Sequence, residues 1–116
     1  MLLGSMRGGN KGPEDIITAT HYPAANTAAT VTLAAVPFKR HVIHKLYWSY
    51  SAAPTNGKIT IVTDGVTIHD QDIINGGPGT LTFSPKTGTI SKNLVITLSA
   101  GGAGIVGKLS FDYESV

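Results

Sequence analysis

The sequence predicts an all-β fold, an antiparallel β-sandwich of jelly-roll type preceded by an extended N-terminal arm. Three observations carry that expectation. Short apolar runs alternate with polar residues at a period of two, which places one face of each run in a core. Glycine, proline and asparagine punctuate the chain about every ten residues, the spacing of a sandwich or barrel. Charged residues make up 14% of the chain, against ~25% in ordinary soluble domains, and no long window of helix-forming residues interrupts the pattern.

The 116 residues suffice for one domain with one core. Residues 1–27 read as a flexible arm and residues 28–116 as the sandwich. Gly4 to Gly12 is glycine-rich and mildly basic, Ile16 to Thr20 has the pattern of a short strand, and Tyr22-Pro23 to Asn26 is polar. Such an arm orders on a neighbouring subunit or stays free. Arg7, Lys11, Ile16 and Ile17 are its candidate anchors.

The first sandwich strand is expected over 30–36, with Val31, Leu33 and Ala35 on one side and Pro37 as its end. Phe38-Lys39-Arg40 then reads as a link into the strand around which the domain is organised. There Val42, His44, Leu46, Trp48 and Tyr50 share one parity, and the face of Leu46 and Trp48 is the expected core face. Tyr47 sits on the other face, free to meet a partner. Pro54 cannot donate a ladder hydrogen bond and closes the strand. Asn56-Gly57 turns the chain, and Lys58 to Thr63 forms the next strand. Asp64-Gly65 between β-branched runs predicts a two-residue type I′ hairpin. The return strand from Val66 carries Ile68 and Ile73 inward across a bulge.

Asn75-Gly76-Gly77-Pro78-Gly79 is a loop. Thr80 to Ser84 is a short strand with Leu81 and Phe83 inward, and Pro85 to Ser91 reads as a turn-rich connection. Leu94, Ile96 and Leu98 define one inward face. Ala100 to Gly104 is a second glycine loop. Ile105, Gly107, Leu109, Phe111 and Tyr113 give the last strand its parity.

No constellation specifies a reaction. There is no cysteine, hence no thiol nucleophile, disulfide framework or cysteine-based zinc site. His41 and His44 would point to opposite faces of a strand and read as packing or interface residues. Asp70 and Asp72 share a strand face, but the calcium-loop motif is not matched, and a solvated acidic edge that discourages aggregation explains them. No Gly-x-Ser-x-Gly elbow occurs, and Gly101 to Gly104 lacks the Lys-Ser/Thr of a phosphate loop. Tyr47, Trp48 and Tyr50 could form a stacking platform for sugars, yet Trp48 and Tyr50 share the core parity of Leu46. The expectation is therefore a non-enzymatic protein without cofactor or metal. The formal net charge is only +2 and the lysines are scattered, which argues against a nucleic-acid partner. No run approaches the ~20 apolar residues of a spanning helix, and the N-terminal apolar run is too short for a signal peptide, so no membrane is expected.

Several stretches of the second half resemble small virion proteins encoded among the head genes of tailed bacteriophages. These are Tyr47-Trp48-Ser49-Tyr50-Ser51-Ala52-Ala53-Pro54, Gly57-Lys58-Ile59-Thr60-Ile61, Gly76-Gly77-Pro78-Gly79, and the run from Leu94 through Ala100-Gly101-Gly102-Ala103-Gly104 to Leu109. The resemblance covers about residues 28–116 and consists of strand and turn signatures. It implies a capsid decoration, or cement, protein: a homotrimer or similar cluster seated on the major capsid protein, assembled in the host cytoplasm and retained on the virion surface. The neutral, Thr- and Ala-rich faces suit permanent contacts with other chains, and many weak contacts act together on a repetitive shell. The alternative is a head- or tail-fibre module that binds host cell-surface carbohydrate through exposed aromatics, Tyr47 among them.

Overall fold

The computed structural model describes residues 16–116. They form eight strands: β1 (Ile17–His21), β2 (Ala29–Leu33), β3 (His41–Tyr50), β4 (Gly57–Thr63), β5 (Val66–Ile73), β6 (Gly79–Thr87), β7 (Leu94–Leu98) and β8 (Gly107–Ser115). The strands lie in two four-stranded sheets, ordered β1-β8-β3-β6 and β2-β7-β4-β5, with every pairing antiparallel. Each sheet alternates odd-and-even partners drawn from opposite ends of the chain, which is the jelly-roll arrangement.

The core lies between the sheets. Ile43, Leu46, Leu109 and Phe111 of the first sheet meet Ile59, Ile61, Leu94, Ile96 and Leu98 of the second, all fully buried. The inward parities expected for β7 and β8 are those observed. In β2, Val31 and Leu33 face inward as expected, but the strand spans Ala29–Leu33 and stops short of Pro37, so Ala35 lies outside it and is exposed, while Ala29 is buried at its start. Asp64 and Gly65 both take positive φ, 50° and 74°, and Thr63 pairs directly with Val66. This is the two-residue primed turn that matches strand twist. The β5 bulge also falls where expected: Ile61 faces His69 and Val62 faces Thr67, so Ile68 is the extra residue.

Three further features differ from the sequence expectation. The first is in β3, where Ile43 faces Tyr113 and Lys45 faces Asp112, leaving His44 as an extra residue. A bulge of one residue reverses the alternation. His41 and Ile43 therefore share the core side with Leu46 and Tyr50, whereas Val42 is buried outside the main cluster and His44 is half-exposed. The second is β6, which runs through Pro85 to Thr87. It is an edge strand, where proline's missing donor costs no ladder bond. The third is β1. Residues 17–21 lie within the stretch assigned to the arm, yet they pair along β8 from Ile17–Tyr113 to His21–Leu109. The sheet thus begins at residue 17, because β8 would otherwise present an open edge. The remainder of the expected arm before Ile16 lies outside the described residues.

Direction alternates strictly from strand to strand, which sorts the connections to two ends. The start of β1, the β2–β3, β4–β5 and β6–β7 connections and Val116 lie at one end, called here the termini end. The β1–β2, β3–β4, β5–β6 and β7–β8 loops lie at the other, the glycine-loop end.

Candidate functional site

The two ends are built from different chemistry. At the glycine-loop end the loops bond to one another through the backbone: Tyr50 N–H donates to Gly76, Ser51 N–H to Val106, Thr55 N–H to Gly101 and Asn26 N–H to Ile105, at 2.8–2.9 Å. The Tyr50 hydroxyl donates to the Ser99 carbonyl at 2.8 Å. Trp48, half-buried, lies against the 77–79 loop, where a Cβ on Gly79 would stand 2.3 Å from the indole. Only glycine fits there. Trp48 and Tyr50 thus serve packing, as their parity indicated, and do not form a platform.

The termini end has a different surface. Six of the eight large apolar side chains exposed among the described residues lie here: Ile16, Ile17, Phe38, Val66, Ile90 and Val116. Phe38 is the extreme case, with 88% of its surface open. Its conformation is also costly. Lys39 N–H closes a turn onto the Val36 carbonyl at 3.1 Å, with Pro37 second and Phe38 third at φ 64°. That is the arrangement of a type II turn, whose third position calls for glycine or asparagine. A bulky residue with positive φ costs about 1–3 kcal/mol and persists only where its surroundings impose it. Here they do: Phe38 N–H donates to Ser91 Oγ at 2.8 Å, and Ser91 N–H to the Lys39 carbonyl at 2.7 Å. Arg40 and Val116 exchange two backbone hydrogen bonds beside them, at 2.8 and 2.9 Å. Strand β3 and the β6–β7 connection thereby hold Phe38, Ile90 and Val116 on one frame. Lys39 and Arg40 are exposed next to it, and Lys92 sits 3.8 Å from Asp64.

Of the residues expected to make contacts, Ile16 and Ile17 reach this end, with Ile17 53% exposed while paired in its own sheet. Arg7 and Lys11 lie outside the described residues. Tyr47 is elsewhere, on the outer face of the first sheet, where its hydroxyl donates to Asp112 Oδ2 at 3.0 Å. Asp112 Oδ1 accepts a second hydrogen bond from Thr18 at 2.7 Å. Partial burial, and then the Asp112 carboxylate that accepts its hydrogen bond and would repel the phenolate, holds the Tyr47 phenol above the usual tyrosine range. Phe38 and Ile90 escaped the sequence reading. The available signal was an aromatic directly after a proline between two strands, a place where a core residue has nowhere to go.

The histidines are structural. His41 is buried, with Nε2 2.8 Å from the Ala34 carbonyl and Nδ1 2.7 Å from Ser115 Oγ. The carbonyl can only accept, so the tautomer with Nε2–H is assigned. His44 Nε2 lies 2.7 Å from Glu114 Oε2 on the opposite side of the sheet. On β5, His69 bonds Gln71 at 3.1 Å and Asp70 lies 3.5 Å from Lys58. Among the described residues no group of three or more histidines and carboxylates could hold a metal ion.

No protein-family model matches the chain, and no curated protein matches it. Among solved structures, it is similar to a carbohydrate-binding module CBM36 in complex with calcium and xylotriose (15% identity, TM-score 0.45, 84% of this chain and 78% of that one). It is also similar to a structure described as CBM4 (11%, 0.45, 90% and 97%). A third is the insecticidal delta-endotoxin Cry8Ea1 of Bacillus thuringiensis (16%, 0.46, 87% and 19%). At these values no residue and no ligand carries over.

Proposed function

We propose that this chain is a non-enzymatic virion protein that decorates and stabilises a bacteriophage capsid, seated on the major capsid protein by its termini end and acting as a homotrimer or similar cluster. The observation that carries this reading is Phe38. An aromatic held open to water in a conformation that costs stability is explained if it fills a pocket on another protein, the usual role of a central anchor. Ile90, Val116, Ile16 and Ile17 at the start of β1 supply apolar area around it, and Lys39 and Arg40 favour an acidic rim on the partner. The identity of the partner rests on the resemblance to small virion proteins of tailed phages. A non-catalytic role is supported by the engagement of four of the five side-chain carboxylates among the described residues: Asp112 with Tyr47 and Thr18, Glu114 with His44, Asp64 with Lys92 and Asp70 with Lys58.

The test is co-sedimentation with shells assembled from the major capsid protein of the phage that encodes this chain. Wild type pellets with the shells. Phe38→Asp, exposed and therefore neutral to folding, weakens binding by at least ~2 kcal/mol, about thirtyfold at ~1.4 kcal/mol per decade. Undiminished pelleting by Phe38→Asp and Ile90→Asp together removes the proposal.

A further inference from the structure

A second surface lies on the outer face of the first sheet, away from Phe38. A cleft of about 220 Å³ opens there towards the glycine-loop end, with Trp48 and Leu109 beneath it. Its two sides are tyrosines. Tyr47 stands on β3, beside Ser110 of β8 and Thr80 of β6 in the register. Tyr22 follows β1, is 60% exposed, and has Lys108 Nζ 5.8 Å from its ring centroid. Ser49 lies beside Lys108. Two strand spacings and one row along the strands set the tyrosines about 12 Å apart, the span of a short oligosaccharide.

We infer that this cleft is a saccharide-binding site, with Tyr22 and Tyr47 as the stacking surfaces and Ser49, Thr80, Lys108 and Ser110 as its polar rim. The axial C–H groups of a sugar ring carry partial positive charge and pack on the negative face of an aromatic ring. Tyr47 is fixed in advance. Asp112 accepts its hydroxyl and is itself held by Thr18, so little side-chain freedom is lost on binding. The rim supplies hydroxyl donors and acceptors that match sugar hydroxyls, and a few such groups set orientation in a shallow site. A nucleic acid is disfavoured: Lys45 and Lys108 share this face with Asp112 and Glu114, so it lacks the basic stripe a phosphate backbone requires. The inference does not depend on the capsid-docking role, because the two surfaces share no residue.

The experiment is binding of the purified chain to a printed array of neutral and acidic oligosaccharides, followed by titration of a bound oligosaccharide against the wild type and three variants. Tyr22→Ala weakens binding at least tenfold. Tyr47→Ala does the same, and because neither ring belongs to the core between the sheets each variant keeps the wild-type circular dichroism spectrum. Phe38→Asp binds sugar as wild type does, even where it no longer pellets with shells. An array with no bound feature overturns the inference. So does sugar binding that survives Tyr22→Ala and Tyr47→Ala together.

Discussion

The two ends of the sandwich show opposite uses of local conformation. At the glycine-loop end, positive φ falls on Gly77, Gly102 and Gly104, and on Asn26 and Asn56, whose side chains tolerate it. Nearby Gly79 and Gly101 keep ordinary φ but leave no room for a side chain against Trp48 and Tyr50. Local preference and packing agree there, as they do in a minimally frustrated fold. At the termini end Asp64-Gly65 serves its hairpin in the same way, but positive φ also falls on Ser91 and on Phe38, where glycine would serve the turn better, and the large side chain of Phe38 is given to solvent. The difference lies in the Phe38 turn, where stability is given up for exposed apolar area, the pattern expected of the proposed contact surface.

The comparison can be broken or sharpened by substitution. The largest effect is expected from Phe111→Ala in the core between the two ends, a loss of about 3–5 kcal/mol read by denaturant unfolding. It calibrates the scale. Next comes Gly79→Ala. Its Cβ would meet the indole at 2.3 Å, and forced repacking costs about 1–3 kcal/mol with a lower Tm. Phe38→Gly should move the other way. It relieves the strained turn and raises stability by up to about 1 kcal/mol, while shell binding falls. A Phe38→Gly variant less stable than wild type would show that the ring supports the fold and would dissolve the contrast.

The smallest effect concerns Tyr47. Its phenol is raised in the folded state, so the stabilisation it contributes is complete below the usual tyrosine pKa of about 10 and is lost as pH rises through the folded value. Ultraviolet titration should show one tyrosine ionising later than expected for an exposed phenol. Asp112→Asn removes the carboxylate charge and should return that tyrosine towards the ordinary range.

Much of this architecture was legible because it is written at short range. The Asp64-Gly65 turn, the alternation from Leu94 to Leu98 and the parity from Gly107 to Tyr113 need no distant partner to interpret. What escaped depends on partners far along the chain. The bulge at His44 exists only against β8, some 70 residues away in sequence, and it reversed the inward set at the start of β3. β1 looked like arm because its pairing strand is the last one. Pro85 looked like a terminator because edge position cannot be read from a proline alone. The candidate site was half visible: Ile16 and Ile17 stood out as apolar residues in a polar stretch, whereas Phe38 was hidden in what read as a link. Its meaning appeared only when the β6–β7 connection was found bonded to it. Tyr47 was singled out correctly as outward-facing, but it belongs to the flank and not to the termini end.

The most direct test is hydrogen–deuterium exchange of the chain alone and bound to capsid shells. Protection should appear at residues 36–40, 88–92 and 116, with the loops at 74–79 and 100–104 unchanged. Protection confined to those glycine loops, with the Phe38 turn exchanging as in the free chain, would contradict the account.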